Sequence, residues 1–175
     1  SAFRKKFGGD VQFVVVALFT YITEMTRRQM PEFKNVVVVN PDQGVTLADS
    51  MDLVVFGGGP LMAIKELAPM QVIFERAKRK QVTTIIAGSG IGPFGDNCHN
   101  DSIKRILELS DIRIYRDQRS KQYAAQIGMD VKNDIVAEDP AFTWLSEQNN
   151  KVDITDKSEE LTLLLGLRDY PYEEY

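Results

Sequence analysis

The chain has 175 residues, long enough for one α/β domain with a buried core and short for two complete ones. Hydrophobic residues make up 43% and charged residues 26%, a globular composition that argues against long disorder. Lys and Arg number 21 against 25 Asp and Glu, and the resulting net charge of -4 excludes nucleic acid as the expected partner.

Cys98 is the single cysteine, so neither an internal disulfide nor a multi-cysteine metal site is expected, and a cytoplasmic compartment fits best. Residues 11–28 read as the first helix, capped by Gly8-Gly9-Asp10. Its Val-rich start also satisfies strand propensity, and the continuation of the apolar run to Ile22 favours helix. Interrupted by Gln12 and Thr20, that run falls short of the roughly 20 residues that span a bilayer, so no membrane span is expected.

Strands are then predicted at 36–40 and 52–56, a helix at 68–79 ending in the basic run Lys78, Arg79, Lys80, and a strand at 83–87. A helix at 102–110, a strand at 112–115, a helix at 119–127 stopped by Gly128, and a strand at 134–137 follow. Short, nearly all-apolar strands alternating with amphipathic helices indicate α/β, a doubly wound and mostly parallel Rossmann-like sheet. The polar stretch 146–160 reads as a linker after a domain at 1–145. The apolar segment Leu161 to Leu167 with Arg168 reads as the start of a second, truncated domain at 161–175.

Two glycine-rich loops are the strongest site signals. One strand runs into Gly57-Gly58-Gly59-Pro60, the other into Gly88-Ser89-Gly90-Ile91-Gly92-Pro93. Both leave the carboxyl end of a strand, where open parallel sheets bind ligands and glycine lets backbone N–H groups approach them. Met62 and Pro93 stand where a dinucleotide fingerprint needs its last glycine, and no Gly-Lys-Ser/Thr follows either loop. The bland alternative is that these glycines only make tight turns.

Arg116-Asp117 follows the strand at 112–115, with Ser120 one turn into the next helix, at the same sheet edge. An arginine there suits a phosphate or carboxylate gripped bidentately; taken alone, an Arg–Asp pair at a surface is a solvated ion pair. Asp139 ends the last strand, either as a further carboxylate or as the cap of the turn before Pro140. His99, the only histidine, sits beside Cys98 in an Asn- and Asp-rich loop, and no Cys/His/Asp cluster at ligand spacing accompanies it, so neither metal nor cofactor is expected.

In order, Gly9-Asp10, Asp52–Gly59, Gly88–Pro93, Ser110 to Ser120 with its Arg-Asp-X-X-Ser element, and Asp139–Phe142 resemble the polysaccharide pyruvyl transferase family over residues 8–142. The family usually has a hydrophobic strand before its Gly-Asp, whereas only Ser1 to Phe7 precede it here. The resemblance implies a GT-B-like enzyme of two facing domains that places pyruvate, as a ketal, on a bacterial cell-surface polysaccharide. Its implied partners are phosphoenolpyruvate and a glycan or lipid-linked sugar acceptor, with a second copy of the chain left open. The matching site residues are Asp10 and Arg116 as catalytic groups, and Gly57, Gly58, Gly59, Gly88, Ser89, Gly90, Gly92, Ser120 and Arg168 for binding. A catalytic histidine would come from the second domain, and His99 does not match it; the chain tested alone is expected to be inactive. A glycosyltransferase with a nucleotide-sugar donor and a non-enzymatic sugar-binding remnant are the competing readings.

Overall fold

The structure, a computed structural model, describes residues 6–8, 11–30, 33, 35–58, 67–92 and 96–149. Contacts divide the chain into two compact units. The described residues within Ser1–Val54 and Ala68–Thr83 form the first, and those within Val55–Leu67 and Thr84–Tyr175 the second.

In the first unit, β1 (Phe13–Val16) lies parallel to β2 (Val36–Val39), Phe13 opposite Val36 and Val16 opposite Val39. The helix α1 (Thr20–Gln29) connects them. The expected single helix over 11–28 is therefore corrected to a strand followed by a helix. Valine side chains are stiff at χ1 and pack well on a pleated surface, and Val36–Val39 offers four more of them as a partner. The family's usual strand ahead of its Gly-Asp would fall on residues of which only 6–8 are described, and the first described strand follows that pair.

Directly after β2 comes α2 (Pro41–Leu47), an element the sequence pattern did not reveal. Asn40 starts it with a reciprocal cap: its side chain accepts from Gln43 N at 2.9 Å, and the Gln43 side chain accepts from Asn40 N at 3.0 Å. Pro41 at the first helical position loses no hydrogen bond. Seven residues are too few for a helical period to show. The helix packs on α3 (Ala68–Arg79), which buries Ile73, Phe74 and Ala77. Gly44 makes this approach possible, since a β-carbon there would lie 2.6 Å from Val16 Cγ2 and 3.2 Å from Ile73 Cδ1. Arg76 also grips both carboxylate oxygens of Asp49, at 2.9 and 2.6 Å.

The second unit holds, apart from Leu53, Val54 and Thr83 at the strand starts, a sheet in the order β3 (Leu53–Gly57), β4 (Thr83–Ser89), β5 (Ile112–Tyr115), β6 (Ile135–Val136). β4 and β5 are parallel, with Ile85 opposite Ile112, and so are β5 and β6, with Tyr115 opposite Val136. This is the parallel α/β architecture expected. α4 (Asn97–Glu108) buries Ile103, Ile106 and Leu107 at helical spacing. α5 (Gln118–Gln126) buries Ser120 and Ala124 and stops before Gly128, whose φ of +87° ends the helix as expected.

Arg113 on β5 donates to both oxygens of Asp134 at 2.8 Å, and the Tyr115 hydroxyl donates to one of them at 2.8 Å. Burial, followed by the bond to Asp134, raises the Tyr115 phenol well above its ordinary value. This network ties the segment before β6 to β5.

Two expectations change here. Cys98 and His99 sit in the first turn of α4, not in a loop, because Asp96 caps the helix by accepting from His99 N at 2.8 Å. Part of the expected polar linker is helical, in α6 (Pro140–Asn149). The apolar segment 161–167 lies outside the described residues. Among the described residues no helix is long and apolar enough to cross a membrane.

Candidate anion-binding cleft

The two glycine loops leave neighbouring strands side by side. Gly58, with φ +76°, donates its N–H to Ala87 O at 3.1 Å, so this N–H extends the sheet. Gly57 lies beside the same residue, where a β-carbon would be a tight fit 3.3 Å from Ala87 O. At Gly88 the pairing of β4 with β5 shifts register, and φ is +67°. A β-carbon there would meet Pro140 Cδ at 2.5 Å, so Gly88 serves the packing of α6. Ser89 is fully buried. Its carbonyl accepts from Arg116 N at 3.1 Å, and its hydroxyl has no hydrogen-bond partner among the described residues.

Gly90, Gly92, Arg116 and Ser120 come together. The Arg116 guanidinium lies flat against Gly90, where a β-carbon would fall 2.5 Å from Nη2 and 2.6 Å from Cζ. Its Nε donates to Asp117 Oδ2 at 3.1 Å. Asp117 caps α5 with its other oxygen, accepting from Ser120 N at 2.7 Å, and the Ser120 hydroxyl accepts from Ile91 N at 3.0 Å. Loop, arginine and helix are thereby one hydrogen-bonded unit. Burial opposes ionisation of Asp117, but the bonds from Ser120 and Arg116 outweigh it and hold its carboxyl below the ordinary value.

Nη1 and Nη2 of Arg116 make no hydrogen bond within the described residues, and the side chain is 33% exposed. Arg116 lines a cleft of about 250 Å³ together with Ile91, Gly92, Asp117, Arg119, Ser120 and Tyr123. Gly92, with φ +87°, makes room for the Tyr123 ring, since a β-carbon would come within 2.6 Å of Cδ2. The Arg119 guanidinium sits 5.4 Å from that ring's centre, and its Nε donates to the Tyr123 hydroxyl at 2.9 Å. A cleft with one half-exposed arginine and a second at its rim suits a small anion better than a neutral ligand.

Sequence reasoning missed Arg119 and Tyr123. Their i, i+4 spacing at the start of a helix leaving the same sheet edge was the available signal. Asp139 caps α6, its Oδ1 accepting from Ala141 N at 3.0 Å, and is not in this cleft. Asp10, Gly59 and Arg168 lie outside the described residues.

Among family models, the one described as polysaccharide pyruvyl transferase matches residues 3–172. No curated protein and no solved structure is a significant match.

Proposed function

Given that the chain belongs to the polysaccharide pyruvyl transferase family, we propose that it acts in transferring the enolpyruvyl group of phosphoenolpyruvate to a glycan or lipid-linked sugar as a pyruvate ketal. A proton adds to the methylene carbon of the donor, and a sugar hydroxyl attacks the cation formed at the neighbouring carbon. A second hydroxyl displaces phosphate and closes the ketal. Of the two hydroxyl protons, one restores the acid and the other leaves with phosphate.

The observation that carries this reading is the Arg116 guanidinium, held by Nε, with neither terminal nitrogen hydrogen-bonded among the described residues, in a residue that lines the cleft. A planar fork of donors matches a phosphate or carboxylate and offsets the negative charge that grows on departing phosphate. Ser120 and the backbone of Gly90 to Gly92 shape the wall beside it, Gly57 and Gly58 bound the neighbouring loop, and Gly59 joins the binding set on the resemblance alone. Asp10 remains the catalytic carboxylate, and Arg168 a second binding arginine, on the resemblance alone. We assign the acceptor to this Rossmann-like domain at 1–145 and the donor to its junction with a facing GT-B-like domain reached through 146–160, residues 161–175 beginning that domain.

The test is to incubate the chain, joined to its facing domain, with phosphoenolpyruvate and lipid-linked or nucleotide-linked amino sugars. Phosphate release coupled to an acid-labile mass gain of one pyruvate less water on the sugar is expected. Release of nucleoside diphosphate with glycosyl transfer, and none of phosphate, would overturn the reading.

A further inference from the structure

We infer that Asp117 is the positioning residue of the cleft, holding the Arg116 guanidinium so that Nη1 and Nη2 face an incoming phosphate. The inference rests on the reading of Arg116 as the anion-binding group. The two oxygens of Asp117 do different jobs: Oδ1 accepts from Ser120 N at 2.7 Å and caps α5, while Oδ2 accepts from Arg116 Nε at 3.1 Å. An arginine loses side-chain entropy whenever its fork is held in one orientation. Here that ordering is done before the ligand arrives, which removes it from the cost of binding.

Three contacts limit where the guanidinium can go. Gly90 lies against one side of its plane, Asp117 holds Nε, and the Arg116 backbone N–H donates to Ser89 O at 3.1 Å. Asp117 itself cannot drift, because its partner Ser120 is 1% exposed and is tied to Ile91 N at 3.0 Å.

Asp117 also carries a negative charge close to a site for anions. Removing that charge alone would tighten phosphate binding by a few-fold at most in a partly solvated cleft. Losing the fixed fork would weaken it by up to about tenfold, the cost of ordering one long side chain on binding. The two effects have opposite signs, so the sign of the net change shows which of them dominates. In Asp117→Asn, the side-chain oxygen can still accept from Ser120 N and the cap survives, but the amide that replaces Oδ2 is a donor and cannot accept from Nε.

The experiment is calorimetric titration of the full chain with phosphoenolpyruvate, in wild type, Asp117→Asn, Arg116→Ala, Arg116→Lys and the Arg116→Lys/Asp117→Asn double variant. We expect Asp117→Asn, which incurs both effects, to bind roughly threefold more weakly, with its thermal midpoint moved by no more than about 2 °C. In the Arg116→Lys background the same change should weaken binding no further, since lysine has no Nε for Asp117 to hold. Equal weakening in both backgrounds would mean a merely structural role and overturn the inference. Unchanged or tighter binding by Asp117→Asn, with binding lost in Arg116→Ala, would overturn it while leaving the anion site standing. Unchanged affinity in Arg116→Ala would bring down the anion site itself and this inference with it.

Discussion

The Arg116 guanidinium rests on Gly90 so closely that an added β-carbon would lie 2.5 Å from Nη2. Gly90 is one of the glycines whose conservative replacement, Gly90→Ala, strikes the far end of a flexible side chain instead of backbone. The fold should therefore yield cheaply and the cleft should not. Gly90→Ala is expected to weaken phosphoenolpyruvate binding by about tenfold while shifting the thermal midpoint by no more than about 3 °C. Binding at wild-type strength would show that the position of the guanidinium over Gly90 is irrelevant to the site.

Gly58 and Gly88 share a left-handed backbone, φ +76° and +67°, but not the same surroundings. Gly58 has nothing within 4 Å of a β-carbon, whereas at Gly88 one would meet Pro140 Cδ at 2.5 Å and Glu138 O at 3.2 Å. Gly58→Ala should cost about 1 kcal/mol, the strain of the conformation alone. Gly88→Ala should cost about 3 kcal/mol, because a proline ring and a carbonyl cannot swing aside. Urea unfolding midpoints for the two variants check the order, and equal losses would refute it.

The Asp134 side chain is 5% exposed and satisfies both Arg113 and the Tyr115 hydroxyl. Asp134→Ala would leave the Arg113 guanidinium with only backbone carbonyls as acceptors and no counter-charge, and the buried Tyr115 phenol without its acceptor, a loss of about 3 kcal/mol. The accompanying variant Arg113→Met/Asp134→Leu removes both charges and should recover a large part of that loss. Denaturant unfolding of the three proteins measures this directly. A double variant as unstable as Asp134→Ala would argue that packing, not the stranded charge, sets the cost.

Asp117 titrates below its ordinary value of 3.8. A folded-state pKa beneath the unfolded one contributes stability that is present above about 3.8 and lost as the pH falls through the lower, folded value. Between pH 5 and 8 Asp117 therefore stays ionised and the Arg116 geometry does not change. Phosphoenolpyruvate affinity over that range should rise only as the ligand phosphate loses its second proton, near pH 6. Titrations at several pH values test this, and a steep change elsewhere in the range would implicate a protein group.

Much of the α/β architecture was written in local patterns. The strands at β4 and β5, the helix α3 with its basic end and the Gly128 stop of α5 all follow from periodicity, β-branching and terminal residues, which act over a few positions. Arg116 and the glycine loops were legible for a related reason: in a parallel sheet, every residue just past a strand lands on one edge. The first helix failed as a reading because Phe13–Val16 becomes a strand only when Val36–Val39 is present to pair with it, 23 residues away in register.

Tertiary structure alone decided what each glycine is for. Gly58, Gly88, Gly90 and Gly92 look alike in the sequence, yet one extends a sheet, one admits a proline, one a guanidinium and one a tyrosine ring. It also decided that Asp117 divides its two oxygens between a helix cap and Arg116. The sequence by itself determined which residues reach the sheet edge, since chain connectivity and strand period suffice for that. Which of them touch depends on side-chain packing between segments distant in the chain, and no local pattern encodes those contacts.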